Sequence, residues 1–460
     1  MPDLPLRIAV PELEFLQCDR ALRVLPGRRW TLAGTLEREQ RPVVAKLFLA
    51  GRHARRDFER EWRGLDALHR RGIAAPDVLY SGPLDEPRGW LLVTAWLTGA
   101  SADTLGEAAL PAVLRAVGLH HARGVEQRDA HLANFLVRSG VAWTLDGAGI
   151  CTTGDVLPAR RALRNLALWL AQFPPAVDQR LGEWRALYGT AQADTGRPVP
   201  HDDLRRLVAG ARRRREARHI DKTFRSCTAF DARRTLRRLQ VFDRRDDAPG
   251  LHAWLSTPDA PFENLRADWL KRGNSASVVR VQIDDRPWVI KRYNLKSFGH
   301  RLRRCWRASR AWHSWRNAQR LVLWGLPTPR PVALLESRFG RLRGRAFYVS
   351  EYVPGEPLGT ALAAADPGQR AVLLDRLCAL LADLKRLNLS HGDLKATNLL
   401  VDRENNLMLL DLDAMRRHRR LGAFGRAFAR DLNRLRANWA DQPPLLAELD
   451  QALSDAGLAP

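Results

Sequence analysis

Cysteine is scarce in this chain. Its five residues, Cys18, Cys151, Cys227, Cys305 and Cys378, are odd in number and scattered, with no Cys-x-x-Cys pair. This argues against a disulfide framework and a zinc site and for a reducing compartment. Long apolar runs are also missing. A membrane-spanning helix needs roughly 20 apolar residues, and the longest apolar segment, near Ala371–Leu384, is broken by Asp and Arg at helical spacing. The opening MPDLPLRIAVPELEF lacks the basic-then-apolar pattern of a secretory leader. The expectation is a soluble chain, at most peripheral to a membrane. Negative charge is the third shortage: 51 Asp and Glu face 75 Lys and Arg, a formal net charge of +24. Such a balance favours polyanionic partners, namely an anionic membrane surface, a phosphorylated or carboxylated substrate, or nucleic acid. Nucleic acid ranks last, because no nucleic-acid-binding motif is present.

What the chain does contain is repetition. Its 460 residues exceed what one core holds, and 45% hydrophobic with 27% charged residues is a globular composition. RPVVAKLF, ending at Phe48, pairs with RPWVIKRY, ending at Tyr293. Trp62, Arg63, Leu68, Gly72 and Pro76 match Trp315, Arg316, Leu321, Gly325 and Pro329 at one constant offset. LLVTAWLTG matches FYVSEYVPG, and RDAHLANFLV matches GDLKATNLLV, in the same order. The chain reads as a duplication. Each half runs from period-two strands to an amphipathic helix ending at Gly-x-x-x-Pro, then another strand, a helical stretch, a short loop and a hairpin. The class is α+β: two bilobal modules in tandem, 1–212 and 213–460, each a small sheet-rich lobe and a larger helical one. The junction lies in the basic run between about 205 and 250, a helix with one basic face followed by strands in RSCTAFDARRTLRRLQVF and turn chemistry at Asp246–Gly250.

Phosphoryl transfer needs a cation on the phosphates, oxygens holding Mg²⁺ and a base aiming the acceptor hydroxyl. The second half offers all three. SHGDLKATNLLV supplies Asp393 and, five residues on, Asn398; thirteen residues later Asp411 ends an apolar run. Lys291 sits on a strand, placed to reach nucleotide phosphates, and Gly273, Asn274 and Ser275 form a turn suited to covering them. The first half keeps Lys46, Glu61, Asp129, Asn134 and Asp146. It has Gln127-Arg128 where the second has His391-Gly392, and His131 in place of Lys395. Two readings of it stand: an active module, and a degenerate, structural or regulatory one. His391 reads as structural beneath the loop, Asp413 as a second metal contact or, the preferred reading, a solvated loop residue, and Glu351 as either an adenine-side or sugar-side contact or a surface residue. The basic runs Arg212–Arg218, Arg301–Arg310 and Arg416–Arg420 read as solvated faces, although Trp306, Trp312 and Trp315 interleave with Arg303, Arg304, Arg307 and Arg310 as at a membrane interface or a phosphorylated saccharide.

SHGDLKATN, KRGNSASVVRV, VIKRYN and SRAWHSWRNAQRL…GLPTPRP resemble the lipopolysaccharide core kinases, the Kdo/heptose kinase (InaA-like) group of the protein-kinase-like superfamily, over about 215–440. The first half resembles them more loosely. The resemblance implies ATP- and Mg²⁺-dependent phosphorylation of a heptose or Kdo of a lipid-linked core oligosaccharide, in the cytoplasm at the inner face of the inner membrane of a Gram-negative cell. It implies Asp393 as catalytic base with Lys395 on the γ-phosphate, Asn398 and Asp411 on Mg²⁺, and Lys291 on the nucleotide. In the first half it carries the same roles to Asp129, to Asn134 and Asp146, and to Lys46 with Glu61. The second half departs from the protein-kinase pattern, with Ser314 where the first has Glu61, so Lys291 needs another positioning group, for which Asn317 is the candidate. The rival readings are a kinase of another acceptor (a protein Ser/Thr or a small molecule) and an envelope pseudokinase scaffold. No A-P-E-type segment follows Asp411, which counts against a regulated protein kinase.

Overall fold

The computed structural model describes residues 2–11, 13–192, 201–264, 267–294, 307–340 and 342–458. Cys305 and four members of the basic–aromatic run, Arg301, Arg303, Arg304 and Trp306, lie outside them. The chain divides into two compact units, 1–173 with 177–213 and 174–176 with 214–460.

In the first unit β1 (Leu6–Val10), β2 (Glu14–Leu25), β3 (Arg29–Leu36), β4 (Arg41–Leu49), β5 (Val78–Leu84) and β6 (Gly89–Ala95) form an antiparallel sheet in the order β1-β2-β3-β4-β6-β5. Alternation along β4 sends Val43, Ala45 and Leu47 into a core with Leu32, Leu91 and Val93, and so turns Lys46 to the opposite face. Helix α1 (Ala54–Arg70) buries Phe58, Leu65 and Leu68 against Phe48, Leu92 and Ile73. It stops at Gly72, whose φ of +60° lets the Ile73 N–H reach back to the Leu68 carbonyl at 2.9 Å. Three further helices, Leu110–Ala122, Ala159–Leu170 and Leu181–Thr190, close around Leu114, Val117, Leu166, Trp169 and Trp184.

Helix α2 (His201–Thr223) is where the residues of the two units meet in sequence. Its arginines do not form one solvated face as the composition led us to expect. Arg212 is buried and forks onto Asp178 at 2.7 and 2.9 Å, within the first unit. Glu216 is buried in the second unit, where Arg320, Arg417 and the Trp324 indole N–H converge on its carboxylate. The turn at Asp246–Gly250 is anchored in the second unit. The Asp246 carboxylate is fully buried and accepts from Arg286 at 2.9 Å and Arg330 at 2.6 and 2.9 Å. An ion pair buried this way belongs to a core and not to a tether.

The second unit opens with β7 (Phe230–Arg234), inside the stretch read as strands, and β8 (Arg238–Asp243), which runs one residue past its end. With β9 (Asp268–Arg272), β10 (Ala276–Ile283), β11 (Arg286–Tyr293), β12 (Pro331–Phe339) and β13 (Leu342–Glu351) they form a sheet in the order β7-β8-β12-β13-β11-β10-β9. Helix α3 (Arg310–Leu323) follows β11. It is capped by the Ser309 hydroxyl on the Trp312 N–H, and it ends at Gly325 (φ +68°) with the Leu326 N–H on the Leu321 carbonyl at 2.9 Å. Helices α4 (Pro367–Arg386), α5 (Leu421–Arg436) and α6 (Pro443–Asp455) share a leucine-rich core including Leu377, Leu381, Leu432 and Leu449. A hairpin pairs Leu399–Asp402 with Leu407–Leu409. Among the described residues no helix is long and apolar enough to cross a membrane.

Candidate active site

In the second unit the strand period fixes Lys291. Trp288 and Ile290 of β11 are buried in the apolar core of the sheet, so Lys291 lies on the other face, in register with Tyr348 of β13. The hairpin then returns Asp411 to it, and the Lys291 ammonium meets Asp411 Oδ1 at 2.5 Å. Asn317 does not take this role. Its Nδ2 donates to the carbonyls of Leu412 (2.7 Å) and Met415 (3.0 Å), pinning the loop that follows Asp411, while Ser314 Oγ bonds the Tyr293 hydroxyl at 2.7 Å. Asp411 has a left-handed backbone, φ +54°, which Asp tolerates better than most residues and which aims its carboxylate back into the site. Burial pushes the Asp411 carboxyl up, but Lys291, Arg310 and Lys271 outweigh it and hold the group below its usual range. Asp413 is not solvated. Its side chain is nearly buried and bonded to Arg310, and burial followed by the nearby Asp411 charge raises its carboxyl.

The loop carrying Asp393 is held from below. His391 is fully buried, with Nε2 2.9 Å from the Leu410 carbonyl. The backbone N–H groups of His391 and Gly392 donate to the Asp431 carboxylate of α5 at 2.6 and 2.9 Å. Gly392 has φ +82°, and a Cβ there would stand 2.7 Å from the Ala414 carbonyl oxygen, so only glycine fits. The Asp393 carboxylate faces Arg434 (3.1 Å), Lys395 (3.2 Å) and Asn398 Nδ2 (3.2 Å). Asn398 Nδ2 also donates to the Asp393 carbonyl at 2.8 Å, which leaves Oδ1 as the amide's free-facing acceptor.

Lys291, Lys395, Asn398 and Asp411 line one cavity of about 580 Å³ walled by Val278, Val289, Leu400 and Leu409. Apolar walls with a few convergent polar groups are the ordinary make-up of a small-molecule site. Glu351 is on its lining, half exposed and 3.4 Å from Arg330. The turn Gly273-Asn274-Ser275 is placed between β9 and β10, with the Gly273 carbonyl bonded by Asn294 at 2.9 Å. None of its three residues lines this cavity; Ser275 lines a second one instead. Asn398 Oδ1 and the Asp411 carboxylate are hard oxygen donors, and one or two protein oxygens completed by water and phosphate suit Mg²⁺. Among the described residues no three His, Cys, Asp or Glu side chains gather into a metal cluster.

The first unit assembles its own set. Lys46 Nζ meets Glu61 Oε1 at 2.5 Å and the Leu145 carbonyl at 3.2 Å, and the fully buried Glu61 accepts from the Gly147 N–H at 3.0 Å. Burial raises the Glu61 carboxyl against the pull of Lys46. Burial also pushes Asp146 up, but its bond to Glu61 and the Lys46 charge hold it at about 2. Asn134 Nδ2 donates to the Asp129 carbonyl at 2.9 Å, while Asp129 itself is exposed. The loop is tethered differently. Asn165 Nδ2 holds the Gln127 carbonyl at 2.8 Å, the Arg128 N–H turns to the Gly149 carbonyl, and both polar side-chain atoms of buried Gln127 lack a hydrogen-bond partner. Asp431, Arg434, Lys271 and Asn165 were not singled out in the sequence. No local spacing marks them, because they reach their sites from elements remote in sequence from the loops they contact.

Residues 260–452 match the model of the Lipopolysaccharide kinase (Kdo/WaaP) family, the group that the motifs of this half resemble. No curated protein matches the chain.

Proposed function

From the match of residues 260–452 to a lipopolysaccharide kinase family model, we propose that the second unit is an ATP-dependent phosphotransferase acting on a heptose or Kdo hydroxyl of the lipopolysaccharide inner core. The observation that carries the reading is the meeting of Lys291, Asn398 and Asp411 in one cavity with Asp393 held beside Asn398. Lys291 binds the nucleotide phosphates and Lys395 steadies the γ-phosphoryl group. Asn398 Oδ1 and Asp411 would hold a magnesium ion, which supplies charge neutralisation on the phosphates. Asp393 orients the acceptor hydroxyl and takes its proton as the new O–P bond forms and the bond to ADP breaks. The membrane face of the cell is the proposed place of action, since the net charge of +24 suits an anionic lipid surface.

The repeat of strand lysine, Gly-terminated helix and Asp/Asn loop supports a tandem origin for the two units as kinase-like, bilobal modules. We read the first unit as a divergent, supporting module: Gln127 replaces His391, and an asparagine on a carbonyl replaces the carboxylate on two N–H groups.

The test is mass spectrometry of lipid A–core saccharide from cells carrying wild type, Asp393→Ala, Asp129→Ala or both. Loss of one phosphate in Asp393→Ala alone is the expected result. Separate losses in each single variant would make the first unit a second active kinase, and an unchanged core in the double variant would move the search to another acceptor or a scaffold.

A further inference from the structure

A second cavity, about 780 Å³, lies in the same unit. Tyr293 lines both it and the lysine-containing cavity, and Gly392 and Arg434, the neighbours of Asp393, are on its wall. Its lining is dominated by guanidinium groups. Three are matched: Arg310 by Asp413, Arg417 by Glu216 and Arg434 by Asp393. Others are not. Arg316 Nε and Arg343 Nη1 are buried with no hydrogen-bond partner, and the nearest carboxylate to Arg343, Glu336 at 3.6 Å, is already bonded to Arg338 at 2.6 Å. Arg316 is stacked 4.8 Å over the Trp312 ring, which fixes the plane of its fork. Arg316, Arg343 and Arg416 all act on His313 between them; burial first, then these three charges, hold its imidazole down at about 4. A group of guanidiniums with unspent N–H donors around one cavity is costly in isolation, and an oxyanion accepting from them would relieve that cost.

Resting on the kinase reading above, we propose that this cavity seats an anionic group already present on the acceptor, a phosphate or a sugar carboxylate, held by Arg316, Arg343 and Arg416 so that a neighbouring hydroxyl reaches Asp393. The phosphorylation then has a place in sequence: it follows the reaction that installs the charged group, and an uncharged precursor is a poor acceptor. The arginines are specificity-determining residues and stand apart from the atoms that react.

The experiment is calorimetric titration of the full chain, with and without a non-hydrolysable ATP analogue and Mg²⁺, using glucose 1-phosphate, glucuronate and glucose as probes. One or both anionic sugars should bind at least tenfold more tightly than glucose, the tighter one naming the anion's source. Arg343→Ala and Arg316→Ala should each weaken that binding about tenfold while leaving the affinity for the ATP analogue unchanged. Arg416→Ala, an exposed position whose loss does not threaten folding, should weaken it in the same direction. Equal binding of charged and neutral sugars, or anion binding unaltered in all three variants, would overturn the inference even where the ATP analogue binds. Failure of the analogue to bind the wild-type chain would instead overturn the kinase reading, with the anion titration of the free chain still deciding the cavity.

Discussion

Asp431 shows what a single residue does for the site. One carboxylate collects the N–H groups of His391 and Gly392 and so fixes the loop that presents Asp393. Replacing it by alanine leaves two donors without an acceptor, at roughly 1–3 kcal/mol each where they are buried. Asp431→Ala should therefore lower kcat about 100-fold through loose placement of the base, with nucleotide affinity kept. Steady-state kinetics alongside nucleotide titration check this, and an unchanged kcat would show that the loop holds itself. The grouping of Asp393, Asn398 and Asp411 was legible in the sequence, since they stand on one loop and hairpin whose spacing geometry dictates. Asp431 was not, because its contacts to His391 and Gly392 are made 40 and 39 residues further on by a helix whose placement only packing decides. Asp413 was misread for the same reason: its partner Arg310 comes from α3.

At the scale of elements the helix ends were the most legible features. Gly72 and Gly325, aligned by one offset in sequence, both take left-handed conformations that close a Gly-capped terminus with the same reach-back bond. Two kinds of glycine can be told apart here. A Cβ on Gly325 would meet nothing, so Gly325→Ala should cost only the backbone term, about 1 kcal/mol. A Cβ on Gly64 of α1 would lie 1.9 Å from the Gly147 carbonyl oxygen, and Gly64→Ala has to shift the helix, at about 3 kcal/mol or more. Denaturant midpoints of the two variants should rank in that order; equal losses would mean that α1 slides at no cost. The basic helix α2 was predicted as a helix, but not which arginines would be buried, since that depends on Asp178 lying opposite Arg212 and on Glu216 standing one turn further on.

For the molecule as a whole, buried histidines tie stability to pH. His120 and His121 are buried in the first. Burial above all lowers His120 to about 3 and His121 to about 4, while Thr144, Tyr188 and Asn165 bond their rings. Both imidazoles take up protons on unfolding at any pH below the unfolded value of about 6.5. Stability is thus retained above that pH and falls as pH drops from about 6.5 towards 4, by up to about 1.4 kcal/mol per pH unit for each ring. Unfolding followed at pH 7 and pH 5 should show this loss, reduced by about half in His121→Gln; a flat profile would mean that the rings reach water. The net charge was plain in the composition, whereas its division between neutralised pairs and the unmatched group around His313 emerged only from the fold.

The contact between Lys291 and Asp411 has a consequence for the order in which ligands arrive. An ammonium already occupies the carboxylate that would hold the divalent ion, so Mg²⁺ alone meets a neutralised partner. On the kinase reading, nucleotide phosphates would offer Lys291 a stronger counter-charge and free Asp411 as they bind. Metal and nucleotide would then enter together, and by reciprocity each would tighten the other by the same factor. Lys291→Ala should reverse the habit: Mg²⁺ binding without nucleotide becomes measurable by calorimetry while the coupling to nucleotide weakens to what the phosphates themselves supply, so the lysine serves between turnovers as the metal's understudy.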